Sequence, residues 1–572
     1  MMRFACLAGL AVALIVSSCN RDDTITTDSP PRILLDDPSG VYTVKTGREL
    51  EIAPRYEYAG YASFCWTQEG RVIGTEPTLL YRAGSVGTAF VRIEVTASGG
   101  TACEELRIET VELEIPVVSL PEAGRECTIA AGSELRLSPA VARTSIPTRY
   151  VWSVDGREVS DECNYTFRSD ETGTFRLRFT ASNDDGETSV ETSVKVCAPD
   201  ELPFSWSFAA TEYRMAAGRT IRLTPLDIAR TQGVVFTWTQ EGAVLQQGAE
   251  PALCFASSEQ GIHRVVVTAS GGEGESSFTV SQELTVEVCA PEGTYRRPCT
   301  AASSAVAARV YEYLPAPGQF VNENYSAGTM AEACAWAERQ LAKPNAFVSL
   351  GAFGGRIVVG FDHSVGCTGG YDLAIGGNSF ATSSEPGIVY VMQDENGDGL
   401  PNDTWYELKG SEYGKSSTWQ EYAVTYYRPT APGMGVAWRD NRGGSGTVDY
   451  LNFHTQDTYY PAWVDSESYT LRGTRLEARN YFDGQDWINP PYEWGYADNF
   501  SSVDRPDDDP NVEAAANVNR FRIADAVRFD GCPAQLRYVD FVMVQTGVQA
   551  ESGNLGESST EVCDFRDCNC QE

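Results

Sequence analysis

Three tryptophans, Trp66, Trp152 and Trp238, recur 86 residues apart, and their flanks recur with them. Each lies downstream of an alternating run that opens on a glycine: Gly47 to Pro54, Gly132 to Pro139 and Gly218 to Pro225. In such a run, residues like Leu135 and Leu137 share one face of a strand. Each tryptophan then precedes a turn: Gln68, Glu69, Gly70; Val154, Asp155, Gly156; Gln240, Glu241, Gly242. Each unit ends in a β-rich run, Phe90 to Gly99, Phe175 to Asn183 and Val265 to Gly271. A period of this length, made of short strands and Gly/Asn turns, predicts tandem β-sandwiches in which the tryptophan fills the space between two sheets. The predicted modules span residues 33–117, 118–198 and 203–289.

A linker at 290–305, punctuated by Pro and Cys, leads into a different region, 306–572, rich in Trp, Tyr and Gly. Its one clear helix is Met330 to Leu341, built mostly of strong helix formers and followed by Pro344. Strands are predicted at 346–350, 356–361, 371–375, 387–393, 423–427, 522–527 and 538–546. The fold class is therefore mainly β: three tandem sandwiches, then a larger antiparallel sandwich or jelly roll with one or few helices. The long loops of this last domain are where function is expected.

The chain opens with an apolar segment, Ala5 to Val16, too short to cross a bilayer core of about 30 Å but suited to a signal peptide, 1–18. Ser17, Ser18 and Cys19 resemble a bacterial lipobox, which implies acylation of Cys19 and a tether over 19–32. Asn20, Arg21, Asp22 and Asp23 resemble the export tag of surface lipoproteins in Bacteroidota, so the expected location is the outer membrane, facing the medium. The modules would then act as spacers that lift the last domain clear of the membrane. With 44 basic against 79 acidic residues and a net charge of −35, nucleic acid is excluded as a partner. Fourteen cysteines remain beyond Cys6 and Cys19, a number that suits disulfides in an exported chain. Cys65 with Cys103 and Cys254 with Cys289 are candidate pairs, and Cys563, Cys568 and Cys570 suit either disulfides or a soft metal.

Asp394, Asn396, Asp398, Gly399 and Asp403 form an Asp-x-Asn-x-Asp-Gly core that suits a structural Ca²⁺ loop between strands. It departs from an EF-hand, because position 12 is Trp405 and strands flank the loop; a solvated acidic hairpin is the alternative. Only three histidines occur, His263, His363 and His454, and no nucleophile elbow or phosphate loop accompanies them, so no enzyme is expected. Aromatic residues cluster at Asn480 to Phe500, with Trp487, Tyr492, Trp494 and Tyr496, and a second group contains Trp438, Tyr459, Tyr460 and Trp463. Such rings offer contact area at small entropic cost, so Trp438, Trp463, Trp487, Tyr492, Trp494 and Tyr496 are the candidate ligand-binding residues; the alternative is that they plug the end of the sandwich.

Two resemblances extend this reading. The modules resemble PKD domains, best in the second, where Thr180, Ala181, Ser182, Asn183 and Gly186 follow the family's pattern; this implies immunoglobulin-like sandwiches. The last domain resembles the surface lipoproteins of Bacteroidota that bind vitamin B12 and related cobamides. The matching stretches are 349–362, 371–378, 384–393 with Trp405 to Leu408, 490–499, and 539–548 with Leu555 to Glu561. That resemblance implies a corrinoid ligand handed to a TonB-dependent outer-membrane transporter. The rival readings are a glycan-binding lipoprotein of a polysaccharide-uptake system and a structural or adhesion protein.

Overall fold

A computed structural model describes residues 29–272, 274, 277–344, 346–505 and 518–570; Cys19 and the expected signal peptide lie outside them. The described residues fall into two compact units divided between Glu114 and Ile115.

The first unit is one β-sandwich. Its five-stranded sheet runs in the order Val41–Lys45, Gly100–Val111, Gly87–Ala97, Ser63–Gln68, Arg71–Gly74, and a two-stranded sheet pairs Glu49–Ile52 with Leu79–Arg82. The second unit begins with two more sandwiches of the same order. In one, Glu126–Ala130, Gly186–Cys197, Gly173–Asn183, Arg149–Val154 and Arg157–Ser160 form the larger sheet. In the next, the order is Glu212–Ala216, Phe278–Cys289, Gly261–Gly271, Val234–Gln240, Ala243–Gly248. In each sandwich the first strand is parallel to its neighbour, and the other pairings of the larger sheet are antiparallel.

The periodic tryptophan explains this repetition. Trp66, Trp152 and Trp238 are fully buried. Each buried indole N–H is satisfied by a loop carbonyl: Glu76 O at 2.9 Å, Cys163 O at 2.9 Å and Pro251 O at 3.0 Å. The register of the following hairpin shifts directly after each tryptophan. Each hairpin then turns through two residues of positive φ, Glu69–Gly70, Asp155–Gly156 and Glu241–Gly242, the conformation of a type I′ turn.

The last domain is organised around a six-stranded antiparallel sheet in the order Arg309–Leu314, Arg356–Gly366, Tyr538–Thr546, Gly387–Met392, Trp405–Leu408, Ala526–Val527. One face carries Ile357, Val359, Val389, Val391, Val542 and Val544, packed beneath the helix Met330–Leu341 and a three-stranded sheet. The helix starts where Thr329 accepts the Glu332 amide at 3.3 Å, and it buries Ala333, Cys334 and Ala337. The opposite face is covered in part by a four-stranded sheet, Ser445–Val448, Val436–Asp440, Trp419–Tyr427 and Ser468–Arg475. The predicted helix and the strand Tyr538–Thr546 coincide with the observed ones; the run 522–527 is instead a 3₁₀ turn, Ile523–Asp525, and a two-residue strand.

The second and third modules do not stand off as spacers. Within their compact unit both pack on the last domain. Ala140 meets Met434 and Ala437, Ser138 bonds Ser445 at 2.9 Å, and Glu122 pairs with Arg439 at 2.5 Å. In the third module Asp227 pairs with Arg472 at 2.5 Å, and Arg219 donates to Ala534 O at 2.5 Å. Burial of interface charges in pairs holds the docking orientation, because either partner alone would be left desolvated.

The linker is pinned as well: Glu292 accepts Gln393 Nε2 at 2.9 Å and pairs with Arg219 at 3.0 Å, and Arg297 reaches the buried Asp540 at 3.1 Å. It ends in a disulfide, Cys299–Cys570. The other expected pairs do not form. Cys65 and Cys103 both sit in register with Glu94 of the strand between them, so two strand spacings, about 10 Å, separate them, beyond the reach of a disulfide. Cys254 is exposed on the small sheet of its module while Cys289 is buried in the large one. Cys563 and Cys568 are free, so the C-terminal cluster contributes only Cys570, to a partner far upstream. The disulfide closes a loop of 271 residues, long enough that its loss should lower stability by about 3 to 5 kcal/mol. Urea unfolding of Cys299→Ser, or of the native chain in reductant, should show that drop; an unchanged midpoint would contradict it.

Candidate functional site

The six rings expected to bind ligand are not gathered in one place. Tyr492 and Tyr496 are buried against Ile388, Leu476 and Val548, with their rings edge to face at 5.6 Å. The Tyr492 hydroxyl donates to Glu477 O at 2.6 Å, while that of Tyr496 accepts from Glu412 N at 2.9 Å. Both are core residues that plug one end of the sheet, not exposed rings free to stack on a ligand. Trp463 is also core, 5.6 Å from Tyr313 and 5.8 Å from Tyr325 in the stack beneath the helix. Trp438 lies half-buried on the four-stranded sheet over Gly446, where a Cβ would approach its ring to 2.7 Å. Trp487 sits in the hairpin Tyr481–Phe482/Trp487–Ile488, against Gly553. Trp494 lines a separate cavity of about 160 Å³ with Tyr371, Lys409, Arg520 and Arg522.

A larger concavity lies elsewhere, over the part of the six-stranded sheet that the four-stranded sheet leaves uncovered. Its floor is a cross-strand row in register, Glu312, Val358, Met543, Tyr390, Glu407 and Val527, flanked by the pair Arg356 and Gln545. Thr470, Arg472 and Thr474 form one wall, and Ser207, Phe208, Arg222 and Asp227 of the third module form the other. Trp405, Tyr413 and Phe529 also line this open groove, whose volume is about 1060 Å³. A second cavity of about 400 Å³ shares Arg222, Trp405, Val527, Arg528 and Phe529 with it and extends along the seam to Asp403.

Charge in this groove is mostly self-neutralised. Arg356 pairs with Glu312 at 2.9 Å and Arg472 with Asp227. Burial raises the Asp227 carboxyl, but hydrogen bonds from Ser207, Asn441 and Arg472 outweigh it and hold the group below its usual range. Glu407 has no cationic partner; burial pushes it up to about 7, opposed only by the Thr474 hydroxyl, which donates at 2.6 Å. Gln545 Nε2 donates to Gly354 O and Arg472 O, each at 3.0 Å, whereas its Oε1 is buried with no donor. A Cβ on Gly473 would come within 1.7 Å of that oxygen, so the glycine makes room for Gln545.

The acidic loop forms the far end of the seam. Asp394 accepts the amides of Gly397 at 2.7 Å and Gly399 at 3.1 Å; Asp398 accepts Leu400 N at 2.8 Å and the side-chain amides of Asn396 at 2.8 Å and Asn402 at 2.9 Å. Among the described residues, the carboxylates of this loop are not one of the groups of three potential metal ligands that lie within 4.8 Å of one another. The loop also touches the third module: Thr404 Oγ1 donates to Arg214 O at 2.7 Å, and Arg214 donates to Asn402 O at 3.2 Å. His363 is buried between Asp362, 2.8 Å, and Asp567, 2.9 Å, with both ring nitrogens engaged, and His454 is held by Glu323 at 2.6 Å. Neither histidine lines the groove.

One group that does cluster is Glu385, Asp498 and Glu561. It is structural: Asp498, at a positive φ of 51°, accepts the amides of Asn378, Ser379 and Glu561, while Glu385 and Glu561 share a carboxyl hydrogen bond. Burial pushes Glu561 up to about 7 and Glu557 up to about 8, from an ordinary 4.5. Between those limits the folded chain keeps protons that the unfolded chain has released. Stability from these groups is therefore intact below about pH 4.5 and is lost as pH rises through 7 to 8, by about 1.4 kcal/mol per pH unit and group. Thermal unfolding of Glu557→Gln and Glu561→Gln should show a gain over the native chain that grows from pH 5 to 8; a gain independent of pH would contradict the assignment.

Against known proteins, the PKD-like domain family matches residues 30–97 and 116–183. Human (Homo sapiens) Polycystin-1 is 24% identical over 217 residues, which are 37% of this chain and 5% of that protein. The chain thus spans a small fraction of that relative's length. Among solved structures, an I-band fragment of titin is 14% identical, covering 46% of this chain and 98% of that one, with a TM-score of 0.22. Three N-terminal domains of the highly immunogenic outer capsid protein of bacteriophage RB49 are 12% identical, covering 45% and 98%, at 0.22. Fibronectin(III)-like modules of Clostridium thermocellum CbhA are 14% identical, covering 29% and 94%, at 0.19. The chain is a mainly β protein carrying tandem PKD-like β-sandwich modules. Among the described residues, no helix is long and apolar enough to cross a membrane.

Proposed function

We propose that this chain is a lipid-anchored surface protein of the outer membrane whose last domain, with the third module as a wall, captures a corrinoid and passes it to a TonB-dependent transporter. The observation that carries this reading is the groove. Its volume of about 1060 Å³ lies at the upper end of ligand pockets, which run to about 1,000 Å³, and suits a macrocycle rather than a small metabolite. A corrin ring is flat, broad and fringed with amides. Phe208, Tyr390, Trp405, Tyr413 and Phe529 offer faces for the ring, and Gln420, Thr470, Thr474 and Gln545 offer neutral partners for the fringe. Capture relies on shape and hydrogen bonding, with the cobalt left without a histidine from the protein. The first two modules favour adhesion as the second reading, since the PKD-like domain family matches them at residues 30–97 and 116–183.

Titration of the full chain with cyanocobalamin tests the proposal. Trp405→Ala and Phe529→Ala should each weaken binding by about 1 to 3 kcal/mol, a factor of roughly 5 to 150, while Trp487→Ala should leave it unchanged. Retardation in polysaccharide-affinity gels without corrinoid binding would overturn it in favour of a glycan, and inertness to both would favour adhesion.

A further inference from the structure

The acidic loop carries two carboxyl groups that its own turn does not use. Asp394 and Asp398 cap backbone and side-chain amides of the turn. Behind them, Glu395 is only 5% exposed, and its carboxylate has no side-chain partner and no paired cation; the Ala216 amide is the one donor that approaches it. Asp403 Oδ1 is likewise buried, without a hydrogen-bond partner. The two groups are neighbours: the Glu395 backbone amide donates to Asp403 Oδ2 at 3.0 Å, and Asp403 is the neighbouring charge that acts most strongly on the Glu395 carboxyl.

The cations in reach are already committed. Arg214 pairs with Glu287 at 3.1 Å, Arg219 with Glu292 at 3.0 Å, and Arg537 with Glu292 at 3.2 Å. With Asp394 and Asp398, six carboxylates therefore meet three guanidiniums along this seam. A buried carboxylate with no counter-charge is strongly unfavourable, and the excess of negative charge favours a bound cation. The donors are all oxygen, some anionic, which suits a hard ion of flexible coordination.

We propose that Ca²⁺ is held between Glu395 and Asp403, where the loop meets the third module, rather than at the centre of the Asp394–Asp398 turn. Backbone carbonyls and water complete its coordination. Because Asn402 and Thr404 hold Arg214 of the third module, the ion fastens that module to the last domain. The site stands independently of what occupies the groove.

The test uses the full chain at about pH 7.5, stripped with EGTA. Adding about 1 mM Ca²⁺ should raise the unfolding midpoint by about 3 °C or more. Glu395→Gln combined with Asp403→Asn should abolish that rise and melt no lower than the native chain in EGTA, because the amides no longer repel. Asp398→Asn should keep the rise. A native chain that melts identically in EGTA and Ca²⁺ overturns the site, as does a rise that survives in the double variant. Loss of the rise in Asp398→Asn would also overturn it, by placing the ion in the turn.

Discussion

A six-stranded sheet with two usable faces must cover both, and the last domain is arranged around how that is done. The Val/Ile-rich face is sealed by the helix and the three-stranded sheet. The other face is sealed only in part, by the four-stranded sheet and by the plug of Tyr492 and Tyr496. What remains open carries Glu312, Arg356, Tyr390, Glu407 and Gln545, polar groups that suit a wet floor rather than a core. The third module stands over that floor. Packing a sheet face against a separate module leaves a cleft where the surfaces do not match, and such inter-domain clefts are where ligands are commonly held.

The docking contacts follow the same logic. Asp227 joins Ser207, Asn441 and Arg472 in one network, so the wall of the groove and the strand it faces are fixed by a partly buried ion pair. Glu122 with Arg439 does the same for the second module. Such pairs contribute less to net stability than to orientation, since removing one partner strands the other. The linker adds a covalent closure at Cys299 and Cys570, so the second unit is tied from its third module to its C-terminal end.

Much of the architecture was legible in the sequence because it is local or periodic. The tryptophan spacing gave three sandwiches, and each indole proves to satisfy one loop carbonyl. Helix propensity, with Pro344 marking the stop, located Met330–Leu341. The groove was not legible, because Phe208, Tyr390, Trp405, Arg472 and Phe529 come together only through long-range packing. The aromatic run 480–500 misled for a related reason: composition does not distinguish a ring that faces solvent from one that fills a sheet end, and Tyr492 and Tyr496 do the latter. The cysteine pairing failed on distance, since strand register keeps Cys65 and Cys103 apart while folding brings Cys299 to Cys570.

The central claim is that ligand is held jointly by the last domain and the third module. Hydrogen–deuterium exchange of the full chain with and without cyanocobalamin tests it most directly. Simultaneous protection of residues 207–227 on one wall and 405–421 with 470–474 on the other is the expected result. Protection confined to 480–500, with the third module unaffected, would contradict the account.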